Sequence, residues 1–172
     1  MSDPDRQANS RLGRHMMVAA WVVALGLLVA WFSGLVERRV NPNQVPEARS
    51  VGGVREVVLH ADRQGHYVAS GSIDGVPVVF LLDTGATEVA IPEAVAREIG
   101  LRLGAPRPVA TASGIARVYE TRLQRVELGG IVIQDVAAHV GPDMPGRHVL
   151  LGMSFLRHLE LAQRDGVLTL RQ

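Results

Sequence analysis

Apolar positions change their rhythm twice along this chain. Residues 16–36 form one run of 21 residues without a charge, close to the ~20 that carry a helix across a bilayer. From residue 54 onward the apolar stretches are short, of strand length, and are broken by Gly, Asp and Pro. Between these two regimes the segment NPNQVPEARSVGGV has no apolar period and reads as a linker. The pattern therefore divides the chain into a tail (1–15), a transmembrane anchor (16–36), a linker (37–53) and one folded domain (54–172).

Within the domain the alternation predicts strands almost throughout. Residues 54–61 are β-rich, DRQG makes a turn, and 66–73 alternate as a half-buried strand. Asp74-Gly75 is a hairpin signal. It leads into VPVVFLL at 76–82, whose nearly continuous apolar character predicts a strand buried on both faces. Pro92, an early acid and Gly100 delimit a short helix. Residues 109–127 read as a long hairpin with its tip near Ser113-Gly114, and Gly129-Gly130 turns into a strand over 131–140. A short strand at 148–151, a helical turn or two at 152–158 and a last hairpin about Asp165-Gly166 complete the domain. The expected class is mainly β, with one or two short helices in a single domain, preceded by one transmembrane helix.

Composition removes several functions. Formal net charge is +1, all basic residues are Arg, and from residue 50 onward 12 Arg face 13 acids. Without a basic stripe, and with few aromatic residues for stacking, nucleic-acid binding is not expected. The chain has no Cys, which excludes disulfides, thiolate nucleophiles and Cys-based metal sites. His60, His66, His139, His148 and His158 are scattered without metal-ligand spacing, so neither a metal nor another cofactor is expected. Ser113-Gly114 lacks the strand–elbow–helix setting of a serine nucleophile. The apolar run exceeds the ~7–15 residues of a signal-peptide core, and Trp31 and Phe32 occupy the region where a cleavage site would fall. An uncleaved anchor follows. Three Arg flank it on each side (Arg6, Arg11, Arg14 against Arg38, Arg39, Arg49), so the positive-inside rule gives no orientation.

The chemistry concentrates at Asp83-Thr84-Gly85-Ala86-Thr87, directly after the most apolar strand. A carboxylate there costs free energy unless hydrogen bonds or a partner compensate it. Gly85 allows tight backbone and close approach of another chain, and Thr84 offers a hydroxyl that donates and accepts. Two carboxylates roughly 3 Å apart cannot both ionise and share a proton. One can then act as general base on a water and the other as general acid. Asp62, Asp74, Asp135, Asp143 and Asp165 lack the hydroxyl-then-Gly sequel. The second carboxylate is therefore expected to be Asp83 of another copy, related by a two-fold axis.

Three segments, in order, carry a family resemblance: VVFLLDTGAT, VATASGIARV and VLLGMSFL. Together they resemble the retropepsins, the single-domain aspartic proteases of retroviruses and their cellular and bacterial relatives. The likeness spans about residues 54–170. The resemblance implies a closed β-barrel, a homodimer and peptide or protein substrates. It makes Asp83 the catalytic acid, supported by Thr84, Gly85 and Ala86, with Thr84 reaching across to the other subunit's loop. Ala112, Ser113 and Gly114 correspond to a flap tip that closes over a substrate strand. An N-terminal membrane helix is similar to that of small bacterial members, in which the domain is expected on the periplasmic side of the inner membrane. Where retroviral members pair an acid with an Arg, this chain has Thr87 and Met153, so both charges are replaced together.

Two other readings fit the same residues. One is a retropepsin-fold module that dimerises or binds peptide at the membrane without cleaving it. The other is a passive membrane-proximal spacer. The intact Asp-Thr-Gly triplet favours catalysis, because a scaffold needs no destabilising carboxylate there. Apolar pockets lined by Ile115, Val140 and Leu150 are expected to take extended hydrophobic segments.

Overall fold

The computed structural model describes residues 16–31, 40–111 and 114–172. The chain forms two compact units, Met1–Arg39 and Val40–Gln172. In the first, residues 16–31 form helix α1, with its apolar side chains exposed. Among the described residues no helix is long and apolar enough to cross a membrane. The transmembrane helix expected over 16–36 is therefore not found. Residues 32–36 of that span lie outside the described residues.

The second unit is mainly β. Its strands in chain order are β1 (Glu47–Val51), β2 (Val54–His60), β3 (Val68–Ile73), β4 (Val76–Leu82) and β5 (Val89–Pro92), followed by helix α2 (Glu93–Ile99). Then come β6 (Pro106–Thr111), β7 (Gly114–Leu128), β8 (Ile131–Gly141) and β9 (Val149–Leu151), helix α3 (Met153–Leu156), and the hairpin β10 (Glu160–Arg164) and β11 (Val167–Arg171). The turns follow the sequence signals. Asp74 and Gly75, and Asp165 and Gly166, all adopt positive φ, as two-residue hairpin turns require. Helix α2 ends at Gly100, whose φ of 78° lets its N–H cap Ala96 and Arg97.

The strands form a seven-stranded sheet, ordered β3-β4-β9-β5-β8-β7-β6, and a four-stranded sheet, ordered β1-β2-β11-β10. The closed barrel implied by the resemblance is matched in part: the strands lie in two sheets, and the larger returns on itself. A further pairing of β3 with β7, at Ser72↔Glu127 and Ile73↔Val126, links distant strands of the larger one. Phe80, Phe155, Leu59, Ile73, Ile91, Leu123 and Leu128 are fully buried at the centre.

Three expectations are corrected. Strand β4 is not buried on both faces: only Val78 and Phe80 are buried, and Pro77 is exposed. One face of the strand meets the core, while the other is only partly covered in the single chain. Strand β5, four buried residues, was not anticipated between the Asp83 loop and the helix signal. The expected linker, 37–53, contains β1 and a docked segment. Asn43 is buried; its amide donates to the carbonyls of His60 (2.9 Å) and Val68 (2.7 Å) and its Oδ1 accepts from His60 N–H (2.7 Å). Polar side chains, not an apolar period, hold this stretch to β2 and β3.

Candidate active site

Topology sets the position of the Asp83 loop. Strand β9 lies between β4 and β5, parallel to the first and antiparallel to the second. The loop joining β4 to β5 must therefore cross the end of β9, where the chain reaches Gly152. Four backbone bonds lock the crossing. Asp83 N–H donates to Leu151 (3.2 Å), Ala86 N–H to Asp83 (3.2 Å), Met153 N–H to Ala86 (2.8 Å) and Ser154 N–H to Thr87 (3.0 Å). The Ser154 hydroxyl adds to the lock by accepting from Val89 N–H (3.0 Å) and donating to the Ala137 carbonyl (2.8 Å). The uncharged pair Thr87 and Met153 thus sits where backbone bonds and one buried serine join the two segments.

Asp83 is half-buried, Ala86 likewise, and Thr84 and Gly85 are exposed. The Asp83 Oδ1 accepts the Gly85 N–H at 2.9 Å. This is the only hydrogen bond that its carboxylate makes among the described residues. Gly85 matters for space as well, because a Cβ there would stand 3.2 Å from that oxygen. The loop therefore holds one carboxylate at the surface, with its backbone fixed from below.

The expected flap is the hairpin β6–β7, whose register closes at Thr111↔Gly114. Gly114 is exposed, with φ 124°; Ala112 and Ser113 lie outside the described residues. Of the expected pocket residues, Ile115 is 83% exposed and Leu150 half-buried, but Val140 is buried in the core. Val140 faces the core because it shares the buried face of β8 with Ala138 and Val136, two and four residues before it.

The charges around the loop were not legible in the sequence. Glu88 accepts from Arg107 on β6 and lies 3.3 Å from His139 Nδ1 on β8, while Arg107 Nε reaches Glu120 on β7 at 3.2 Å. This cluster ties the base of the hairpin to the strand that follows the Asp83 loop. It borders a cleft of about 430 Å³ that also touches Arg102, Gly104 and Arg122. A second cleft of about 340 Å³ lies against Pro106, Pro108 and Arg117. Asp83 lines neither of them.

Residues 69–158 match the family described as "gag-polyprotein putative aspartyl protease". An uncharacterised protein encoded in the cobV 5′ region of Sinorhizobium sp. is 31% identical over 170 residues, 91% of this chain and 73% of that protein. An uncharacterised protein of Rickettsia prowazekii (strain Madrid E) is 24% identical over 152 residues, 83% of this chain and 64% of that protein. Among solved structures, a retropepsin-like aspartic protease from Rickettsia conorii is similar at TM-score 0.58 and 24% identity, over 73% of this chain and 93% of that one.

Proposed function

The chain belongs to the retropepsin-like aspartic protease family, and from that premise we propose that it is an aspartic endopeptidase assembled as a homodimer about Asp83. The observation that carries this reading is the loop itself. A single chain presents one carboxylate of this kind, held by Gly85 and braced by the segment after β9. Neither described cleft reaches it. A second copy supplies both the missing acid and the other wall of a groove.

The reaction then follows from charge. Two Asp83 carboxylates roughly 3 Å apart hold one proton between them. The ionised one takes a proton from a water as its oxygen bonds to the scissile carbonyl carbon. The protonated one supplies a proton to the departing amide nitrogen as the C–N bond breaks. Thr84, exposed beside each acid, is suited to hydrogen-bond across the axis. The tip of the β6–β7 hairpin (Ala112, Ser113 and Gly114) covers the substrate, which binds as an added strand. The exposed side chain of Ile115 favours an apolar substrate segment. Residues 16–36 anchor the enzyme as a single pass in a bacterial inner membrane, with the domain on the periplasmic side. The uncharged run and the exposed apolar surface of α1 support the anchor; the periplasmic side rests on the family resemblance alone.

The test is Asp83→Asn in the full chain. Peptide cleavage is expected to fall by roughly 10²–10⁴-fold or more, with the dimer intact by light scattering. An unmodified protein that cleaves no peptide from acidic to neutral pH would favour a non-catalytic binding module instead.

A further inference from the structure

The β6–β7 hairpin has a hinge where it leaves the sheet. Strand β7 pairs with β8 from Leu128↔Ile131 up to Tyr119↔Val140. Its pairing with β6 begins at that level, at Pro106↔Tyr119, and runs on to Thr111↔Gly114. Among the described residues β6 pairs with β7 alone. Residues 107–111 and 114–118 therefore form an arm that no third strand holds. A two-stranded arm is marginal by itself, so its angle to the sheet depends on the side chains at its base.

Arg107 grips that base. It is the first residue of β6 beyond the hinge, and it donates through Nη2 to Glu88 Oε2 while its Nε lies 3.2 Å from Glu120 Oε1. The two carboxylates differ in what they hold. Glu120 lies on the hairpin's own strand, whereas Glu88 lies on the body, between the Asp83 loop and β5, whose Val89 pairs with Ala138 of β8. Exposure ranks the two. The Arg107 and Glu88 side chains are 33% and 27% exposed, against 56% for Glu120. The more shielded pair loses less to solvent screening, so Glu88 is the stronger hold. The same Oε2 of Glu88 lies 3.3 Å from Nδ1 of His139, which is 13% exposed on β8. With its proton on Nδ1, His139 donates to that oxygen and fixes its direction. Pro106 and Pro108 lock φ on either side of Arg107, so a pull on the guanidinium is passed to the strand.

We propose that the Glu88–Arg107 pair is a latch that sets the angle of the hairpin to the Asp83 loop, with Glu88, Arg107 and His139 as positioning residues. The proposal rests on the endopeptidase reading above, in which this arm covers an added substrate strand. With the latch made, the arm is held near its covering position before substrate arrives, and less ordering is left for the binding step. Without it, Arg107 keeps only Glu120, which moves with β7, and the arm swings over a wider range. The cleft of about 430 Å³ beside Glu88, Arg107 and Glu120 gives the guanidinium room for that change. Among the described residues no latch side chain bonds to the Asp83 carboxylate, so loss of the latch falls on KM rather than kcat.

The test combines peptide kinetics with amide hydrogen exchange at residues 109–111 and 114–118, in the full-length protein in detergent. Glu88→Gln and Arg107→Gln should each raise KM about threefold to tenfold, leave kcat within about twofold, and speed exchange along the arm about threefold or more. The double variant should be no worse than either single one, because both remove the same contact. Arg107→Lys keeps the charge but not the fork that reaches two carboxylates, so it should fall between the parent and Arg107→Gln. Arg122→Gln, which breaks the exposed pair with Asp135 on the held part of β7, should change neither reading. Exchange that stays at the parent rate in both single variants would overturn the latch, as would KM effects that multiply in the double variant. A KM effect that varies with the substrate's sequence while exchange is unmoved would also overturn it, by making these side chains direct contacts of the peptide. If the parent hydrolyses nothing, exchange still decides: faster exchange in both variants would uphold the latch while the endopeptidase reading fails.

Discussion

Gly152 has φ −89°, so glycine is not required there for its backbone conformation. It is required for space. A Cβ at 152 would run into the carbonyl oxygen of Glu88 and lie 2.7 Å from that of Ala86. Both belong to backbone that cannot swing away as a flexible side chain could. Gly152→Ala is expected to destabilise the domain by about 2–4 kcal/mol and to displace the loop carrying Asp83. Denaturant unfolding measures the first effect, and peptide cleavage under conditions where the variant is still folded measures the second. An alanine variant as stable and active as the parent would mean that the crossing is looser than its bonds indicate. Gly85 and Asp83 were recognisable in the sequence as a tight acidic loop. Gly152 was recognisable only as part of a family motif, because its neighbours at 86 and 88 are brought there by the sheet.

Helix α2 shows how an element can be read from its ends and still be fastened by something unread. Pro92 and Gly100 mark its limits in the sequence, and the structure places the helix between them. Its outer side is held by Glu98, which accepts from Arg147 at 2.5 Å across a long sequence separation. That hydrogen bond holds the Glu98 carboxyl below the usual value of 4.5; desolvation opposes it, and the charge of Arg147 adds a smaller lowering. The sign follows. A carboxylate whose pKa is lower when folded adds stability above its unfolded pKa and loses it as pH falls through the folded one. Glu98→Gln should therefore be slightly less stable than the parent near neutral pH, and the difference in melting temperature should shrink towards zero well below pH 4.5. Because the pair is exposed, the effect is small. A difference that stays constant with pH would assign it to packing.

At the scale of the molecule, the structure moves the domain boundary. The second unit begins at Val40, not at residue 54, and Asn43 bonds to both β2 and β3 within it. A fragment of residues 40–172 is expected to fold cooperatively, whereas one of residues 46–172 strands the N–H of His60 and the carbonyls of His60 and Val68 that the Asn43 side chain satisfies. Each such buried group costs about 1–3 kcal/mol, so the shorter fragment should be the less stable by a few kcal/mol. Thermal melts compare the two. Fractionation then tests the anchor: the full chain should sediment with membranes and the 40–172 fragment should not. If that fragment is also inactive and monomeric, the helix contributes by raising local concentration. If it is an active dimer, residues 1–39 serve location alone.

Alternation, turn residues and one acidic triplet determined the mainly β class, nearly every strand from β2 to β11 and the helix at 93–99. These are local properties: side-chain period, positive-φ turns and caps act within a few residues. Contacts between distant segments decided the rest. The threading of β9 between β4 and β5, the Glu88–Arg107–His139 cluster and the clamp of Asn43 all depend on which strands become neighbours. No window of sequence carries that information. It exists only once the chain has closed on itself and buried the core that sets every strand's place.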